Sequence, residues 1–415
     1  MPIRPALAEG ESAADRLARY TRLGTLSLAA LPPLSLYVHL PWCLKKCPYC
    51  DFNSHEWRGT GDEDGAPPEQ RYLVALRADL EAALPFVWGR RVISVFIGGG
   101  TPSLFSPDAV ATLIADIRAR LPLEPGAEIT LEANPGTFER DRFRAYREAG
   151  VTRLSVGVQS FDDQRLRTLG RVHDAAQARA ALEEAARCFD SFNLDLMYAL
   201  PGQTLADLRQ ELETALAFAP PHLSIYHLTI EPNTLFAKTP PPGLPDDDLS
   251  SDMLDLIGER TAAQGLERYE VSAFAKPGSR CVHNLNYWQF GDYLGIGAGA
   301  HGKLSFPHRV VRQVRWRDPA TYMAQALAGQ AISNDEEVAR RALPFEFMLN
   351  ALRLREGVEI TRFGERTGLP LSAIAAPLAE AERRGLIERD ASWLRPTPRG
   401  FDFLSDLQSL FLPAP

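Results

Sequence analysis

The stretch that decides the fold of this chain reads Tyr37-Val38-His39-Leu40-Pro41-Trp42-Cys43-Leu44-Lys45-Lys46-Cys47-Pro48-Tyr49-Cys50-Asp51-Phe52, and it holds three of the five cysteines among 415 residues. The three are spaced C-x3-C-x2-C and follow a short apolar segment, residues 34–40, that is typical of a β-strand. Three thiolates so close together on one loop can surround a single metal centre. The spacing therefore indicates a metal site at the end of a strand.

The metal that such a loop would hold depends on what completes the ligand set. Iron–sulfur clusters are bound by cysteine thiolates, and a [4Fe–4S] cube takes four ligands, so three cysteines would leave one iron open. Zinc, with His39 or His55 as fourth ligand, is the alternative, although structural zinc sites usually pair two C-x2-C knuckles and the chain has no second one. A disulfide with a spare thiol is disfavoured by the low, odd number of cysteines and by the lack of a signal-peptide pattern. The spacing favours iron–sulfur.

Composition and charge narrow the class of protein. Hydrophobic residues make up 45% and charged residues 24% of the chain, as in ordinary globular proteins, and the length suits two domains. The net charge of −8 argues against general binding of nucleic acid. No run of 18 apolar residues occurs, so we predict no transmembrane helix. We expect a cytoplasmic protein, in which thiols stay reduced and can ligate metal.

Strand and helix patterns alternate from residue 34 to about residue 334. The apolar runs lie at residues 92–97, 129–131, 154–158, 192–198 and 223–230. Such alternation predicts βαβ units with a parallel sheet, and six units would curl into an open α/β barrel, a partial (βα)6 barrel. Residues 1–33, rich in Ala and Arg, are expected to form a mobile N-terminal arm, and residues 57–68 a flexible insertion.

Polar residues follow the apolar runs at the points where the strands should end. They are the cysteine loop, Gly98-Gly99-Gly100-Thr101, Glu132, Gln159 and Asp195. In barrels of this class, functional residues lie at the carboxyl ends of the strands. Each residue alone could be a strand-end cap or a satisfied core polar group, but five consecutive units are better explained by one shared site. The glycine turn matches no nucleotide-binding fingerprint; its use would be close backbone approach to a ligand.

A second group of residues lies in Cys281-Val282-His283-Asn284-Leu285-Asn286-Tyr287-Trp288. If this segment is helical, His283 faces Tyr287 and Asn284 faces Trp288. A histidine beside large aromatic residues can be a haem axial ligand, or it can be a core histidine packed on aromatics, and the sequence leaves both open. Residues 291–302 are dense in glycine and predict a loop near a cofactor pocket, in which His301 has no assigned partner.

The pattern changes over residues 335–415. Helical patterns precede two short strand-like segments, 386–388 and 393–396, and a final helix. This order predicts a small winged-helix-like domain. Such domains often bind DNA, but Glu380 and Glu382 on the third helix and the acidic charge of the chain argue against it. We expect a domain that docks as a lid.

Four motifs together resemble one family. They are Y-x-H-x-P-x-C-x3-C-x-Y-C, G-G-G-T-P-S, L-E-A-N-P and D-L-M-Y-x-L-P-G-Q-T, and they begin at Tyr37. They resemble the oxygen-independent coproporphyrinogen III oxidase family of radical S-adenosylmethionine (SAM) proteins, and the resemblance covers most of the chain. The oxidases of that family carry a further cysteine where this chain has Phe52. That difference, and the H-N-x-x-Y-W motif that begins at His283, are similar to the haem-chaperone branch of the family.

The resemblance implies a [4Fe–4S] cluster on Cys43, Cys47 and Cys50, whose open iron binds SAM. The residues that it implies as contacts of SAM are Tyr37, Tyr49, Gly99, Gly100, Thr101, Glu132, Gln159, Arg171 and Asp195. It implies that haem binds through His283, with ring contact from Tyr287 and Trp288, and is passed to haem-accepting proteins. Peripheral contact with a membrane is a further expectation; nucleic acid is not an expected partner, and the oligomeric state stays open.

Two other functions compete with the haem chaperone. One is an enzyme that decarboxylates the propionates of coproporphyrinogen III by hydrogen abstraction. The other is a winged-helix regulator that senses redox state through the cluster. Phe52 and His283 favour the chaperone, and the acidic chain disfavours the regulator.

Overall fold

The computed structural model describes residues 11–59, 67–136 and 142–413. Within these ranges the strands are β1 (Leu34–Leu40), β2 (Trp42–Cys43), β3 (His55–Glu56), β4 (Val92–Gly99), β5 (Leu123–Ala133), β6 (Arg153–Gln159), β7 (Ser191–Tyr198), β8 (His222–His227), β9 (Glu267–Arg268), β10 (Ala273–Ala275), β11 (Asp292–Ile296), β12 (His301–Phe306), β13 (Arg309–Arg315), β14 (Ile332–Glu337), β15 (Val358–Glu359), β16 (Ile387–Arg389) and β17 (Trp393–Pro396). The α-helices are Ala13–Thr21, Glu69–Val87, Pro107–Arg120, Phe143–Ala149, Asp163–Thr168, Ala175–Cys188, Leu205–Ala217, Leu235–Lys238, Asp247–Ala262, Val282–Trp288, Pro319–Leu327, Leu343–Ala351, Ile360–Thr367, Ala375–Arg383, Pro398–Asp402 and Leu404–Ser409.

The central sheet contains twelve strands in the order β14-β13-β12-β11-β1-β4-β5-β6-β7-β8-β10-β9. From β11 to β8 neighbouring strands run parallel. This confirms the predicted α/β architecture of βαβ units. Strand β1, which leads into the cysteine loop, pairs with β4 on one side and with β11 on the other. The loop therefore emerges from the middle of the sheet, where its position is well determined.

The two faces of the sheet differ in chemistry. Leu34, Leu36 and Val38 of β1 are buried in the main apolar core. On the opposite face, the hydroxyl of Ser35 lies 2.8 Å from that of Ser94 on β4, and both are fully buried. Side chains alternate along a strand, so one face packs on the helices and the other lines a polar interior. That interior positions the candidate site.

The glycine-dense segment 291–302 is a loop only in part. Residues 292–296 form β11 and residues 301–302 begin β12, and the turn between them holds Gly297 and Gly299, both with positive φ. Close packing also requires glycine, because a Cβ atom on Gly295 would collide with the carbonyl oxygen of His301, and one on Gly297 with that of His39. The composition therefore reflects both a turn and a close approach of backbone to backbone.

The N-terminal segment is more ordered than the sequence suggests. Ala13–Thr21 is a helix, and Tyr20 on it is only 1% exposed. The ring of Tyr20 lies 5.5 Å from that of Phe86 and 5.0 Å from that of Phe306. The expectation of a mobile arm over residues 1–33 is therefore wrong where the structure describes that segment, because the helix contributes an aromatic ring to the core.

The boundary between the two domains lies slightly later than residue 334. Strand β14 extends the barrel sheet to Glu337 by pairing with β13, and Asp335 on it accepts a hydrogen bond from Arg19 over 2.7 Å. A second apolar core collects residues from Val338 onward, together with a few from the barrel. The second domain therefore starts at about Val338, because residues 335–337 still belong to the sheet.

The C-terminal domain has the element order of a winged helix. Three helices, ending with Ala375–Arg383, are followed by β16 and β17, to which β15 adds a third strand. Glu380 forms ion pairs with Arg383 and Arg384 on its own helix. The two arginines are thus neutralised locally.

Two segments that we expect to be flexible fall wholly or partly outside the described residues, at 1–10 and 60–66. Residues 137–141 and 414–415 also lie outside them. In the part of the chain that is described, no helix combines the length and the apolar composition that crossing a lipid bilayer requires.

We expect Tyr20→Ala to lower the free energy of unfolding by about 3–5 kcal/mol, because it removes a buried aromatic ring from the core. Denaturation by urea, followed by circular dichroism, measures this change. Leu23→Ala is the matched control, since Leu23 is 87% exposed, and it should change the value by less than about 0.5 kcal/mol. A Tyr20→Ala protein as stable as the wild type would restore the mobile-arm interpretation.

Candidate functional site

The cysteine loop is fixed at both of its ends. Strand β2 pairs with β3, and the N–H of His55 donates to the carbonyl of Pro41 over 2.7 Å. Between these ends, the N–H of Cys50 donates to the carbonyl of Cys47 over 3.1 Å and closes a turn. The thiols are therefore presented by a short, internally bonded loop at the carboxyl end of β1, as the sequence predicts.

The glycine turn that ends β4 packs directly onto this loop. The N–H of Gly100 donates to the carbonyl of Leu40 over 2.8 Å, and the N–H of Thr101 donates to that of Trp42 over 2.7 Å. A Cβ atom on Gly100 would lie 2.5 Å from the Trp42 carbonyl oxygen. Gly100 is therefore needed for contact with the loop itself, whatever ligand the turn also contacts.

A chain of side-chain contacts links the first two cysteines. The hydroxyl of Thr101 lies 3.5 Å from Sγ of Cys43 and accepts a hydrogen bond from the amide of Asn134 over 2.9 Å. The guanidinium of Arg171 donates to Oδ1 of Asn134 and lies 3.7 Å from Sγ of Cys47. Four predicted site residues are thus brought together. Asn134 is the member that the sequence analysis misses, although it stands in the L-E-A-N-P motif.

The electrostatics of the thiols bear on metal binding. Burial is the main cause that raises the pKa of the Cys43 thiol to about 11, and the neighbouring Cys50 and Cys47 raise it further. The three sulfurs therefore lie within electrostatic range of one another. Such proximity suits ligands of one shared metal centre, and by itself it does not choose between zinc and an iron–sulfur cluster.

The histidines considered as a fourth zinc ligand have other partners. Nδ1 of His39 lies 2.9 Å from the hydroxyl of Tyr37, and Nε2 lies 2.9 Å from the carbonyl oxygen of Asn53. His55 bonds the side chain of Asn53 over 3.3 Å. A Cβ atom on Gly99, whose φ is 120°, would lie 2.7 Å from the His39 ring. Both nitrogens of His39 are occupied, which weakens the zinc interpretation. Tyr37 and Gly99, two residues predicted to contact SAM, both pack on the His39 ring.

Two predicted acidic residues lie in the barrel interior below the turn. A carboxylate oxygen of Glu132 accepts the N–H of Gly99 over 3.1 Å, and Asp195 accepts from the amide of Asn193 over 2.8 Å. Burial, followed by the negative charge of Asp195, raises the pKa of Glu132 to about 7. Burial also raises the pKa of Asp195. A cation placed beside these groups would favour their charged forms.

The remaining predicted residues lie around Arg171. Its guanidinium donates to the carbonyl of Gly157 over 2.8 Å, and a Cβ atom on Gly157 would lie 3.1 Å from the amide nitrogen of Gln159. Gln159 ends β6 with a left-handed φ of 69°. Tyr49 interacts with Arg171, and burial is the main cause that raises the pKa of its hydroxyl. Arg171, Gln159 and Tyr49 therefore belong to the same end of the barrel as the cysteines.

The second predicted site lies nearer the start of β4. Val282–Trp288 is a helix, as predicted, and Nδ1 of His283 lies 3.1 Å from the hydroxyl of Ser94. The His283 ring stacks on Phe96 at 4.9 Å and meets the edge of Tyr287 at 5.0 Å. Its Nε2 is buried and has no hydrogen-bond partner among the described residues. Burial lowers the pKa of His283 to about 3, so its imidazole is neutral at pH 7.

The two aromatic residues of this motif pack against different neighbours, although their rings lie 6.5 Å apart. Tyr287 lies beside His283, whereas Trp288 packs on the C-terminal core and carries the guanidinium of Arg353 4.2 Å above its ring. Residues five apart on a helix, such as His283 and Trp288, lie well round its axis from each other, at 3.6 residues per turn. The expectation that both rings contact the ligand of His283 stays a prediction.

The two cysteines outside the loop have partners of their own. Cys281 is buried, and its thiol lies 3.5 Å from the carboxylate of Glu128 on β5. Cys188 ends the helix Ala175–Cys188 and contacts Glu184 over 3.1 Å. Neither of these contacts involves the cysteine loop.

Comparisons with known proteins bear on both domains. The family model described as the radical SAM superfamily matches residues 37–215, and the HemN C-terminal domain matches residues 338–403. The heme chaperone HemW of Escherichia coli (strain K12) is 47% identical over 93% of this chain and 100% of its own length. The heme chaperone HemW of Haemophilus influenzae is 46% identical over 92% of this chain and 98% of its own length.

A solved structure has the same fold across both domains. Coproporphyrinogen III oxidase (HemN) from Escherichia coli, a radical SAM enzyme, matches with a TM-score of 0.78, over 97% of this chain and 93% of that one. Its sequence identity is 24%, so this likeness concerns the fold alone. The similarity to the HemW proteins is closer and extends over their full length. The chain belongs to the HemW family of radical SAM proteins.

Proposed function

We propose that this protein binds haem and passes it to haem-accepting proteins. The observation that carries the proposal is the 47% identity to a protein named heme chaperone over that protein's whole length. In the structure, the supporting feature is Nε2 of His283, which is buried, belongs to a neutral imidazole and has no partner among the described residues. Imidazole is a common axial ligand of haem iron.

We propose Cys43, Cys47 and Cys50 as the ligands of one [4Fe–4S] cluster. The support is their shared loop and their electrostatic proximity. When bound, such a cluster supplies an electron and leaves one iron open for SAM. The positive charge of Arg171 beside Cys47, and the hydroxyl of Thr101 beside Cys43, would stabilise the thiolates that iron requires.

We propose that SAM binds at the same end of the barrel. The residues assigned to it are Tyr37, Tyr49, Gly99, Gly100, Thr101, Glu132, Gln159, Arg171 and Asp195. The support comes from Glu132 and Asp195, whose raised pKa values would fall beside the positive sulfonium and ammonium groups of SAM. Tyr37 would act as a positioning residue, because its hydroxyl bonds His39.

An oxygen-independent coproporphyrinogen III oxidase is the second candidate function. The fold shared with HemN favours it, but Phe52, which is 64% exposed, stands where the oxidases carry a further cysteine. A haem titration and an assay of coproporphyrinogen III conversion, on one anaerobically reconstituted sample, separate the two functions. Haem binding without conversion supports the chaperone, and conversion without haem binding supports the oxidase.

We expect Cys47→Ala to lose the cluster, since it removes one of three proposed ligands. Iron and sulfide, measured after anaerobic reconstitution, should fall from about four of each per chain to background. Cys188→Ala is the matched control, because it removes a thiol on a distant helix, and it should keep the wild-type content. Full iron in Cys47→Ala, or stoichiometric zinc in anaerobically purified wild type, would reject the assignment.

The raised pKa of Glu132 predicts that SAM affinity rises with pH. Between about pH 6 and pH 8, Glu132 loses its proton through a pKa of about 7 and gains the negative charge that attracts a cation. In equilibrium dialysis, Glu132→Gln should remove this rise and bind SAM about tenfold more weakly at the upper pH. The cluster content should stay unchanged.

The matched control for this experiment is Glu211→Gln. Burial raises the pKa of Glu211 to about 7 as well, but its carboxylate bonds Ser160 and Gln203 instead of the turn. This variant should keep the pH profile of the wild type. The same profile in Glu132→Gln would remove Glu132 from the SAM site.

His283→Ala should lower haem affinity and shift the Soret band, because it removes the proposed axial imidazole. The cluster and SAM binding should survive, because the cysteine loop and the glycine turn belong to other elements, although the ring of His283 lies 6.4 Å from that of Tyr37. His301→Ala is the control, because His301 is an exposed histidine on β12. Equal haem titrations for His283→Ala and the wild type would contradict the axial role.

A further inference from the structure

The barrel interior contains three buried polar atoms that have no hydrogen-bond partner among the described residues. They are Oγ1 of Thr130, Nε of Arg153 and Nε2 of His283. The exposed fractions of these residues are 0%, 3% and 3%. Buried polar groups are nearly always hydrogen-bonded, so an unpartnered group needs an explanation. Three unpartnered groups in one interior suggest a shared explanation.

The three atoms come from neighbouring positions. Phe96 on β4 stands opposite Thr130 on β5, and Thr130 stands opposite Arg153 on β6. Residues paired in register across parallel strands project from the same face of the sheet. The ring of His283 stacks on Phe96 at 4.9 Å, so it belongs to the same face. The positive charge of Arg153 contributes to the low pKa of His283, which places the two within electrostatic range.

Arg153 is the least explained of the three. It makes no hydrogen bond and no ion pair with any residue that the structure describes. Two acids lie within electrostatic range of Arg153, but each has another hydrogen-bond partner. Glu128 accepts a hydrogen bond from the N–H of His283 over 3.3 Å, and Asp195 accepts one from the side-chain amide of Asn193 over 2.8 Å. Burial disfavours the charged guanidinium, and the surrounding acids offset this cost through space, so the pKa of Arg153 is raised. A carboxylate brought in by a ligand would supply the direct hydrogen-bond acceptor that these acids do not.

We infer that Arg153 and Thr130 hold a carboxylate of the ligand in the barrel, and that this carboxylate is a porphyrin propionate. The inference rests on the proposed haem binding. A guanidinium binds a carboxylate through paired N–H donors, and a threonine hydroxyl can add a further donor. The neighbouring Glu128 and Asp195 would repel a ligand carboxylate anywhere that it lacked hydrogen-bond donors. Arg153 and Thr130 therefore also determine where in the barrel the propionate lies.

The test compares porphyrins with and without free carboxylates. Haem, iron-free protoporphyrin IX and its dimethyl ester are titrated into the full-length protein and followed by absorbance and fluorescence. The wild type should bind protoporphyrin IX at least tenfold more tightly than the diester. Arg153→Met should bind haem and protoporphyrin IX about tenfold to hundredfold more weakly and bind the diester as the wild type does.

Two further variants keep the result interpretable. Arg366→Met is the matched control, because Arg366 is also buried with an unpartnered Nε but lies in the C-terminal domain, and its preference for the free acid should equal that of the wild type. Arg153→Lys retains the charge and should keep part of the preference, so it serves if Arg153→Met does not fold.

The outcomes separate this inference from the proposed function. Haem binding by the wild type with no preference for the free acid, or a preference that survives in Arg153→Met, overturns the carboxylate anchor and leaves haem binding standing. A wild type that binds no porphyrin at all overturns both. A preference for protoporphyrin IX over its diester that is lost in Arg153→Met, without any haem binding, supports the anchor and rejects the haem proposal.

Discussion

Two backbone hydrogen bonds, from the N–H groups of Gly100 and Thr101 to the carbonyls of Leu40 and Trp42, tie the end of β4 to the cysteine loop. Because the turn belongs to the sheet, its docking transfers the rigidity of the sheet to the loop. A site whose ligands are already held loses less conformational entropy when a metal binds.

The interior of the barrel holds buried acidic and basic groups near one another. Near the cysteine loop, Glu132 and Asp195 offer carboxylates whose pKa values burial has raised. Nearer the helix Val282–Trp288, the unpartnered buried atoms belong to a neutral histidine and to the guanidinium of Arg153. Arg153 lies within electrostatic range of Asp195 and Glu132, and its positive charge lowers the pKa of both carboxyls. A cationic cofactor would suit the carboxylates, and an acid-bearing ligand would suit Arg153.

The parts of the fold that the sequence predicts are those controlled by local periodicity. Alternating strands and helices predict the sheet, and the strand ends predict that Thr101 and the cysteines come together. Arg171 entered the predicted site only through the family resemblance. The pairing of Thr130 with Arg153 was beyond this reasoning, because it depends on the register between two strands rather than on either strand alone. The packing of Tyr20 depends on long-range contacts with Phe86 and Phe306 in the same way.

Glycine shows why composition alone misleads. In 291–302, Gly297 and Gly299 lie in a turn, as ordinary propensity indicates, whereas Gly295 lies in β11, which approaches His301 too closely for a Cβ atom. The same residue type at Gly100 serves the docking of the turn on the loop. Both are close backbone contacts, but the sequence does not say which partner is close.

The helix Val282–Trp288 joins the two halves of the structure. His283 at its start lies inside the barrel, and Trp288 at its end packs on the C-terminal core under Arg353. Arg353 also forms an ion pair with Glu270 of the barrel over 3.1 Å. The seven-residue helix is therefore held from both sides, by the barrel at His283 and by the C-terminal core at Trp288.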